Sequence, residues 1–366
     1  MPFLLILLLL SGLSVQAHHE GTTGGPGIAG PLITFPARTL PKGKGFVNMG
    51  LKYSNYKTFS PAQVNSLLNR GETTGQIRTS LSPSIALGYG LTDDWDIYFN
   101  LPYNFKYGLI ETDGGERTEF GDSIGLGDLS ILSQYRFYKN HKRKVYSSVL
   151  LGLSLPTGFR NVKNNQGDFF GNDDQPGSGS VDPFFGMALS KDIGPAFSFD
   201  SNFLYRLSTP GPRDGVTGDS LNYNIALSYL IQNISEKKGH HHSHRHSGDL
   251  TYHDHHHHHG HHRHSHNLSP LGKTLAKIFP GKILGQNLSW NLITELNYNW
   301  QERPELHGVK EDNHGGHHIL ATEGIRAIVN DDVVVNLGVT LPLITAQYGA
   351  QPTPIPSLIF GVSYLF

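Results

Sequence analysis

The chain has 366 residues, 29 Lys or Arg against 30 Asp or Glu, and a formal net charge of −1, a balance that gives no support for nucleic-acid binding. It has no cysteine, which excludes structural disulfides, thiolate zinc sites and covalently attached c-type haem. Glycine numbers 43 against 3 Met, a composition that suits a turn-rich all-β chain.

In chain order, residues 3–13 form an apolar run followed by Ser14, Val15, Gln16 and Ala17. Such a run is too short to span a bilayer, which takes about twenty residues. It reads as a signal peptide over 1–17, although no Lys or Arg precedes it. The stretch 18–44 then reads as a periplasmic N-terminal segment able to plug whatever follows. No later stretch is long and apolar enough for a membrane helix. Mean hydropathy is −0.31, but this average misses barrels, where only alternate residues face lipid.

From residue 45 the hydrophobic period is close to two. In 77–89 the residues Ile77, Leu81, Ile85, Leu87 and Tyr89 share one face, and Arg78, Ser80, Ser82, Ser84 and Ala86 the other. Runs of this kind predict twelve strands, near 46–56, 76–90, 95–103, 127–138, 145–155, 180–190, 196–207, 220–231, 288–300, 317–329, 333–342 and 357–366. In 317–329 Glu323 falls on the apolar face. Short links at 92–94, 139–144, 191–195 and 330–332 alternate with long ones at 57–75, 104–126, 156–179, 208–219, 301–316 and 343–356. An even strand number with short turns at one end and long loops at the other is the pattern of a transmembrane antiparallel up-and-down β-barrel. The strand 358–366, with aromatics at Phe360, Tyr364 and Phe366, reads as its closing strand and as the segment offered to a barrel-insertion machinery. The expected organisation is strands 1–8 in 45–231, a His-rich insertion in 232–287, and strands 9–12 in 288–366. The expected location is the outer membrane of a Gram-negative bacterium.

The polar faces should line the interior. They carry Lys52, Arg78, Arg136, Arg206 and Arg326, and also Asp96, Asp128, Asp182, Asp200 and Glu295. An Arg or Lys facing lipid at mid-bilayer costs about 2–4 kcal/mol, so the inward placement is favoured. Five charges of each sign suggest a neutralised polar lumen. Cross-strand ion pairs that only hold the wall together would give the same pattern.

Several junctions share one family's pattern. They are Gly90-Leu91-Thr92-Asp93-Asp94-Trp95-Asp96 with Asn100-Leu101-Pro102-Tyr103, Gly127-Asp128-Leu129 leading to Tyr135-Arg136-Phe137, Leu153-Ser154-Leu155-Pro156-Thr157-Gly158, Gly177-Ser178-Gly179-Ser180-Val181-Asp182-Pro183-Phe184, and Leu341-Pro342-Leu343. Their order over 76–343 resembles the outer-membrane transporter family named for the meta-cleavage pathway of phenol degradation. The resemblance implies an outer-membrane barrel that handles small solutes, aromatic ones among them, and carries no catalytic residue over.

The insertion lies outside that pattern. It holds fifteen histidines, His240, His241, His242, His244, His246, His253, His255, His256, His257, His258, His259, His261, His262, His264 and His266, with Asp249 and Asp254 as its only carboxylates within 239–266. Neutral imidazole suits Zn, Ni, Co and Cu ions. A tract so poor in apolar residues is expected to be disordered without metal. Its binding should be multi-site and weaken as pH falls through about 6.5. By strand parity it falls on the periplasmic side. His18 and His19 would join it after signal cleavage. His314, His317 and His318 form a smaller group near an extracellular loop, and with Glu311 and Asp312 they are expected to make a low-affinity entry site, against ordinary loop polarity as the alternative. Leu271, Leu275, Ile278 and Phe279 share a helical face, which suggests a short amphipathic helix ending at Pro280. No organic cofactor and no nucleophile–base pair is indicated.

Taken together, the sequence predicts a non-enzymatic outer-membrane channel for small solutes, in contact with outer-membrane lipid, whose periplasmic His-rich loop binds divalent transition metal. Two alternatives are an uptake channel for small aromatic compounds with the His tract as linker, and a barrel enzyme acting on lipid or peptide.

Overall fold

An extended chain turns successive side chains to opposite faces, so alternating sequence becomes strand wherever one face can be buried and the other meets an apolar medium. A computed structural model describes residues 31–70, 74–113, 116–194, 196–212, 215–231, 278, 281–283 and 286–366. Twelve strands form its wall: β1 (Gly45–Lys57), β2 (Thr79–Thr92), β3 (Trp95–Asp113), β4 (Leu129–Asn140), β5 (Val145–Leu155), β6 (Asp182–Ile193), β7 (Phe197–Arg206), β8 (Ser220–Ile231), β9 (Gln286–Gln301), β10 (Gly316–Val329), β11 (Val333–Gln347) and β12 (Ser357–Leu365). Each pairs antiparallel with the next. The last returns to the first, from Phe46 opposite Leu365 to Tyr53 opposite Leu358. The sheet is therefore a closed up-and-down barrel without a free edge. This is the architecture expected from the sequence, and the 145–155 and 220–231 strands match residue for residue.

Two links depart from expectation. The 104–126 link is mostly strand. Alternation continues past the wall through Phe105, Tyr107 and Leu109, and Glu116–Leu126 pairs back along β3 before the chain kinks at Gly127 and Asp128 into β4. The link after β1 contains a short helix, Pro61–Asn69. The Ser60 hydroxyl accepts from the Gln63 backbone N–H, and the Gln63 side chain accepts from the Ser60 N–H. Such a reciprocal cap satisfies two otherwise orphaned helix donors.

The two faces of the wall are chemically opposite. Leu150 on β5 is 0% exposed and its neighbour Leu151 is 60% exposed. Outward-pointing Met49, Ile85, Leu87, Leu151, Phe185, Met187, Leu337 and Phe360 form an exposed apolar belt. At the short-turn end the belt is edged by Tyr89, Trp95, Tyr135, Phe137, Tyr364 and Phe366. At the long-loop end it is edged by Tyr103, Tyr205, Tyr298 and Trp300, with the Tyr205 and Trp300 rings stacked at 6.5 Å. An apolar belt between aromatic girdles fits hydrocarbon between two headgroup layers. Glu323 does stand on the outward face, where its carboxylate accepts a 2.8 Å hydrogen bond from the Thr294 hydroxyl of the adjoining strand. No helix among the described residues is long and apolar enough to cross a membrane.

The belt predicts a large penalty for charge at its middle. Leu151→Arg should lower barrel stability in lipid vesicles by about 2–4 kcal/mol, measured as a fall in the urea unfolding midpoint. A change of less than about 0.5 kcal/mol would mean that this face does not meet hydrocarbon.

Candidate functional site

Twelve strands enclose more space than their own side chains fill, and fewer than a water-filled porin uses. Here residues 31–42 occupy much of that space. Pro31, Pro36 and Pro41 stand at regular intervals in this stretch. Proline supplies no N–H and fixes its φ, so the stretch stays extended without adding a strand to the sheet. Its backbone donors are received by side chains of the wall instead. The Glu295 carboxylate of β9 accepts from the N–H groups of Leu32, Ile33 and Thr34, and from the Thr34 hydroxyl at 2.7 Å. The Asn202 side-chain oxygen takes the Phe35 N–H at 2.8 Å, and the Ser190 hydroxyl takes the Ala37 N–H at 2.7 Å. Asp96 on β3 takes the Leu40 N–H at 2.8 Å. Gln134 donates to the Pro36 carbonyl and Ser148 to the Ala37 carbonyl. Arg38 completes the set by pairing with Asp200 at 2.8 Å and with Asp192.

Apolar contacts seat the same thread. Ala37 and Leu40 are buried with Phe46, Tyr98, Leu132, Leu150, Phe184 and Ala188, and Phe35 meets the Tyr98 ring edge-on at 5.2 Å. Close approach depends on glycines in the wall. The Leu32 side chain lies where a Cβ on Gly324 or Gly338 would stand, 2.2 and 2.6 Å from those positions, and the Pro41 carbonyl oxygen is 2.3 Å from a Cβ built on Gly90.

The stretch 18–44 was expected below the barrel or as its plug. The part described here runs inside the barrel, because carboxylates buried in the wall need donors and the extended backbone supplies them in series.

The sequence-predicted lining residues divide by location. Asp96, Asp182, Asp200, Glu295 and Arg326 are buried inside the wall. Arg326 bonds the Asn336 side-chain oxygen at 2.7 Å and the Pro31 carbonyl. Asp182 accepts from the Thr209 N–H. Arg136 is at the short-turn rim, tied to Asp94 at 2.6 Å and to the Asp93 carbonyl. Lys52 and Arg206 line cavities. Two residues depart from the expected wall. Arg78 precedes β2 and lies 3.5 Å from Glu119 at the long-loop end. Asp128 sits at the kink ahead of β4, where its carboxylate holds Gly158 N–H and both the N–H and hydroxyl of Ser178, so it anchors the 156–181 loop. The segment 18–44 is an expected plug, but Arg38 and its partner Asp192 are not among the expected lining residues. The spacing of Pro31, Pro36 and Pro41 is a local signal for the extended thread.

One cavity borders the thread at Phe35, and another lies among the long loops. The first, of about 530 Å³, is lined by Phe35, Phe46, Tyr98, Leu132, Phe184 and Leu204, with Asn48, Asn100, Asn222 and Arg206 as its main polar groups. The other, of about 410 Å³, opens among the long loops beside Lys52, Lys106, Asp173, Asp174, His314 and His318. Here the histidine group splits. His317 faces outward, between the hydroxyls of Tyr298 at 2.8 Å and Tyr348 at 2.9 Å. His318 faces the cavity. His314 joins carboxylates, with its Nε2 3.0 Å from Asp173 and its Nδ1 3.7 Å from Glu311. The hydrogen bond and charge of Asp173 raise the His314 pKa to about 9, and His314 in turn helps to hold Asp173 below its usual value against burial. Burial, followed by the charge of Asp173, pushes the neighbouring Asp174 up to about 7.

The histidines of 240–266 lie outside the described residues, as do the expected signal peptide at 1–17, His18, His19 and most of the 271–280 helix.

No protein-family model matches the sequence, and no curated protein does. Among solved structures the fold is similar to that of an outer membrane channel from Pseudomonas putida F1, with a TM-score of 0.56 at 14% identity over 90% of this chain and 98% of that one. Matches to the NanC porin, with a TM-score of 0.39 at 8% identity over 86% and 98%, and to LpxR from Salmonella typhimurium, with 0.40 at 10% over 87% and 100%, are too distant to carry an argument. The fold is that of the outer-membrane β-barrels of Gram-negative bacteria, with the apolar belt as the membrane-facing surface.

The His314–Asp173 pair joins two long loops, and its pH window follows from the two shifts. The raised His314 contribution is full below about 6.5 and fades as pH rises through about 9. The lowered Asp173 contribution fades only as pH falls below the usual carboxylate range. Proteolytic nicking of loops 156–181 and 302–315 should therefore be slow and flat near neutral pH and accelerate above about 9. In His314→Ala the alkaline step should be absent. The same step in both proteins would remove this pair from the account.

Proposed function

We propose that the protein is an outer-membrane channel for small solutes whose lumen is closed by its own residues 31–42, and that solute passes when this thread withdraws. The observation that carries the reading is how the thread is held. It adds no strand to the barrel, so it can leave without opening the sheet. Its backbone is bound by wall side chains, chiefly Glu295, Asn202, Ser190 and Asp96, with Arg38 on Asp192 and Asp200. A hydrogen bond to a charged group contributes about 1.5–3 kcal/mol. The wall left behind carries buried polar groups, Asp96, Gln134, Ser190, Asn202 and Glu295, suited to water and to polar solute, beside an apolar patch at Phe46, Tyr98, Leu132, Leu150 and Phe184. The fold likeness to an outer membrane channel agrees with the reading.

The proposal extends to the insertion. Link 232–285 joins β8 to β9 at the short-turn end, which is the periplasmic end in barrels of this class. Fifteen imidazoles there would hold Zn, Ni, Co or Cu ions in adaptable sites rather than one fixed geometry. Metal held on this side would follow, or precede, passage through the barrel.

Planar-bilayer recording tests the channel. Deleting 31–42 should raise single-channel conductance, and Glu295→Gln, which keeps shape but removes the charge facing three backbone donors, should increase the time spent open. Equal conductance with and without the thread would overturn the plug. No conductance from either protein would overturn the channel.

Calorimetric titration of Zn²⁺ into the full chain and a 240–266 deletion tests the insertion. Most of the bound metal should disappear with the deletion. Equal heats from the two would remove metal binding by this tract.

A further inference from the structure

At the long-loop end, two separate loops bring a histidine and carboxylates to one point beside a cavity. Asp173 comes from the loop after β5, and Glu311 and His314 from the loop after β9. One donor atom from each lies within 4.8 Å of the others. Donors about 2.1 Å from a shared ion stand about 3.0–3.5 Å apart, and the Asp173–His314 Nε2 separation is 3.0 Å. We infer that Asp173, Glu311 and His314 form a divalent cation site at the outer mouth of the barrel, suited to an ion that accepts two carboxylates and one imidazole.

Three further observations support it. First, the His314 Nδ1 lies 3.0 Å from the Asp312 carbonyl oxygen. A ring N–H donated to a backbone carbonyl is the usual arrangement around a metal-bound histidine, and it leaves Nε2, the nitrogen facing Asp173, as the ligand, while the Glu311 carboxylate, 3.7 Å from Nδ1, must turn toward Nε2 to join it. Second, the acidic loop is fixed before any ion arrives. Lys106 donates to the Asp173 and Gln175 carbonyls, and the Ser123 hydroxyl donates to the Asp174 carbonyl at 2.7 Å. Third, the neighbouring Asp174 carboxylate lines the same cavity, within the field of Lys106 and His314. His318 Nδ1, buried and unpartnered, lines it too. The cavity thus sets a third acidic side chain and a free imidazole nitrogen beside Asp173, Glu311 and His314. A cation would take the place of the proton now shared between Nε2 and Asp173.

The inference deepens the channel reading, since it puts a capture site at the end opposite the His-rich insertion. The two sites differ in chemistry. Two carboxylates favour a harder ion, such as Mn²⁺, than an imidazole tract does, so Mn²⁺ separates them.

The test is Mn²⁺ titration of the detergent-solubilised full chain, followed by loss of the free-ion paramagnetic signal. The full chain should retain one strongly held Mn²⁺. Asp173→Asn and His314→Ala should each weaken it by about tenfold or more. Glu119→Gln, in a nearby exposed ion pair, should leave it unchanged. Far-UV circular dichroism on every variant confirms the barrel. The inference is overturned if the full chain holds no such ion, if the two ligand variants bind as tightly as the parent, or if Glu119→Gln weakens binding equally. Bilayer recordings in metal-free buffer judge the channel reading separately, so either can fail without the other.

Discussion

Inside hydrocarbon a peptide group has no water to turn to, and each unmet N–H or C=O costs several kcal/mol. The pairing of β12 with β1 is therefore the contact on which everything else rests, because it removes the last row of open backbone groups. Closure has a second consequence. With most greasy side chains committed outward, the inward positions carry the polar and charged groups, beside one apolar patch at Phe46, Tyr98, Leu132, Leu150 and Phe184. Asp96, Asp200 and Glu295 are buried there whether or not a solute is present. Buried carboxylates require donors, and the segment just ahead of β1 supplies them.

The barrel's form was legible because strand periodicity is a local property. All twelve strands show in the alternation, even β10 with Glu323 on its outer face. The β3 hairpin was not legible, since Phe105, Tyr107 and Leu109 give way to polar residues that read equally well as loop. The 61–69 helix had a visible signal in Ser60-Pro61-Ala62-Gln63, a capping pattern easily passed over among alternating runs.

The interior was harder to read. Which face of a strand points inward follows from its pattern, but what each inward group touches depends on residues far away in the chain. Glu295 meets Leu32, Ile33 and Thr34. His314, grouped by sequence with His317 and His318, belongs instead with Asp173 from a different loop. Neighbours along a strand diverge because His317 and His318 must point to opposite sides of the wall. Lining charge was thus predictable in kind and not in pairing, and Asp128 turned out to be a loop anchor.

The thread touches β3, β4, β5, β6, β7, β9 and β10, from Asp96 and Gln134 through Ser148 and Ser190 to Asn202, Glu295 and Arg326. These staves lie on both sides of the 232–285 interruption, whose ends must still meet for β8 to zip to β9. A cord that grips staves from both halves ties them together through the interior. Twelve residues of chain thereby fasten seven staves to one another from within, a cross-link that neighbouring strands alone do not supply.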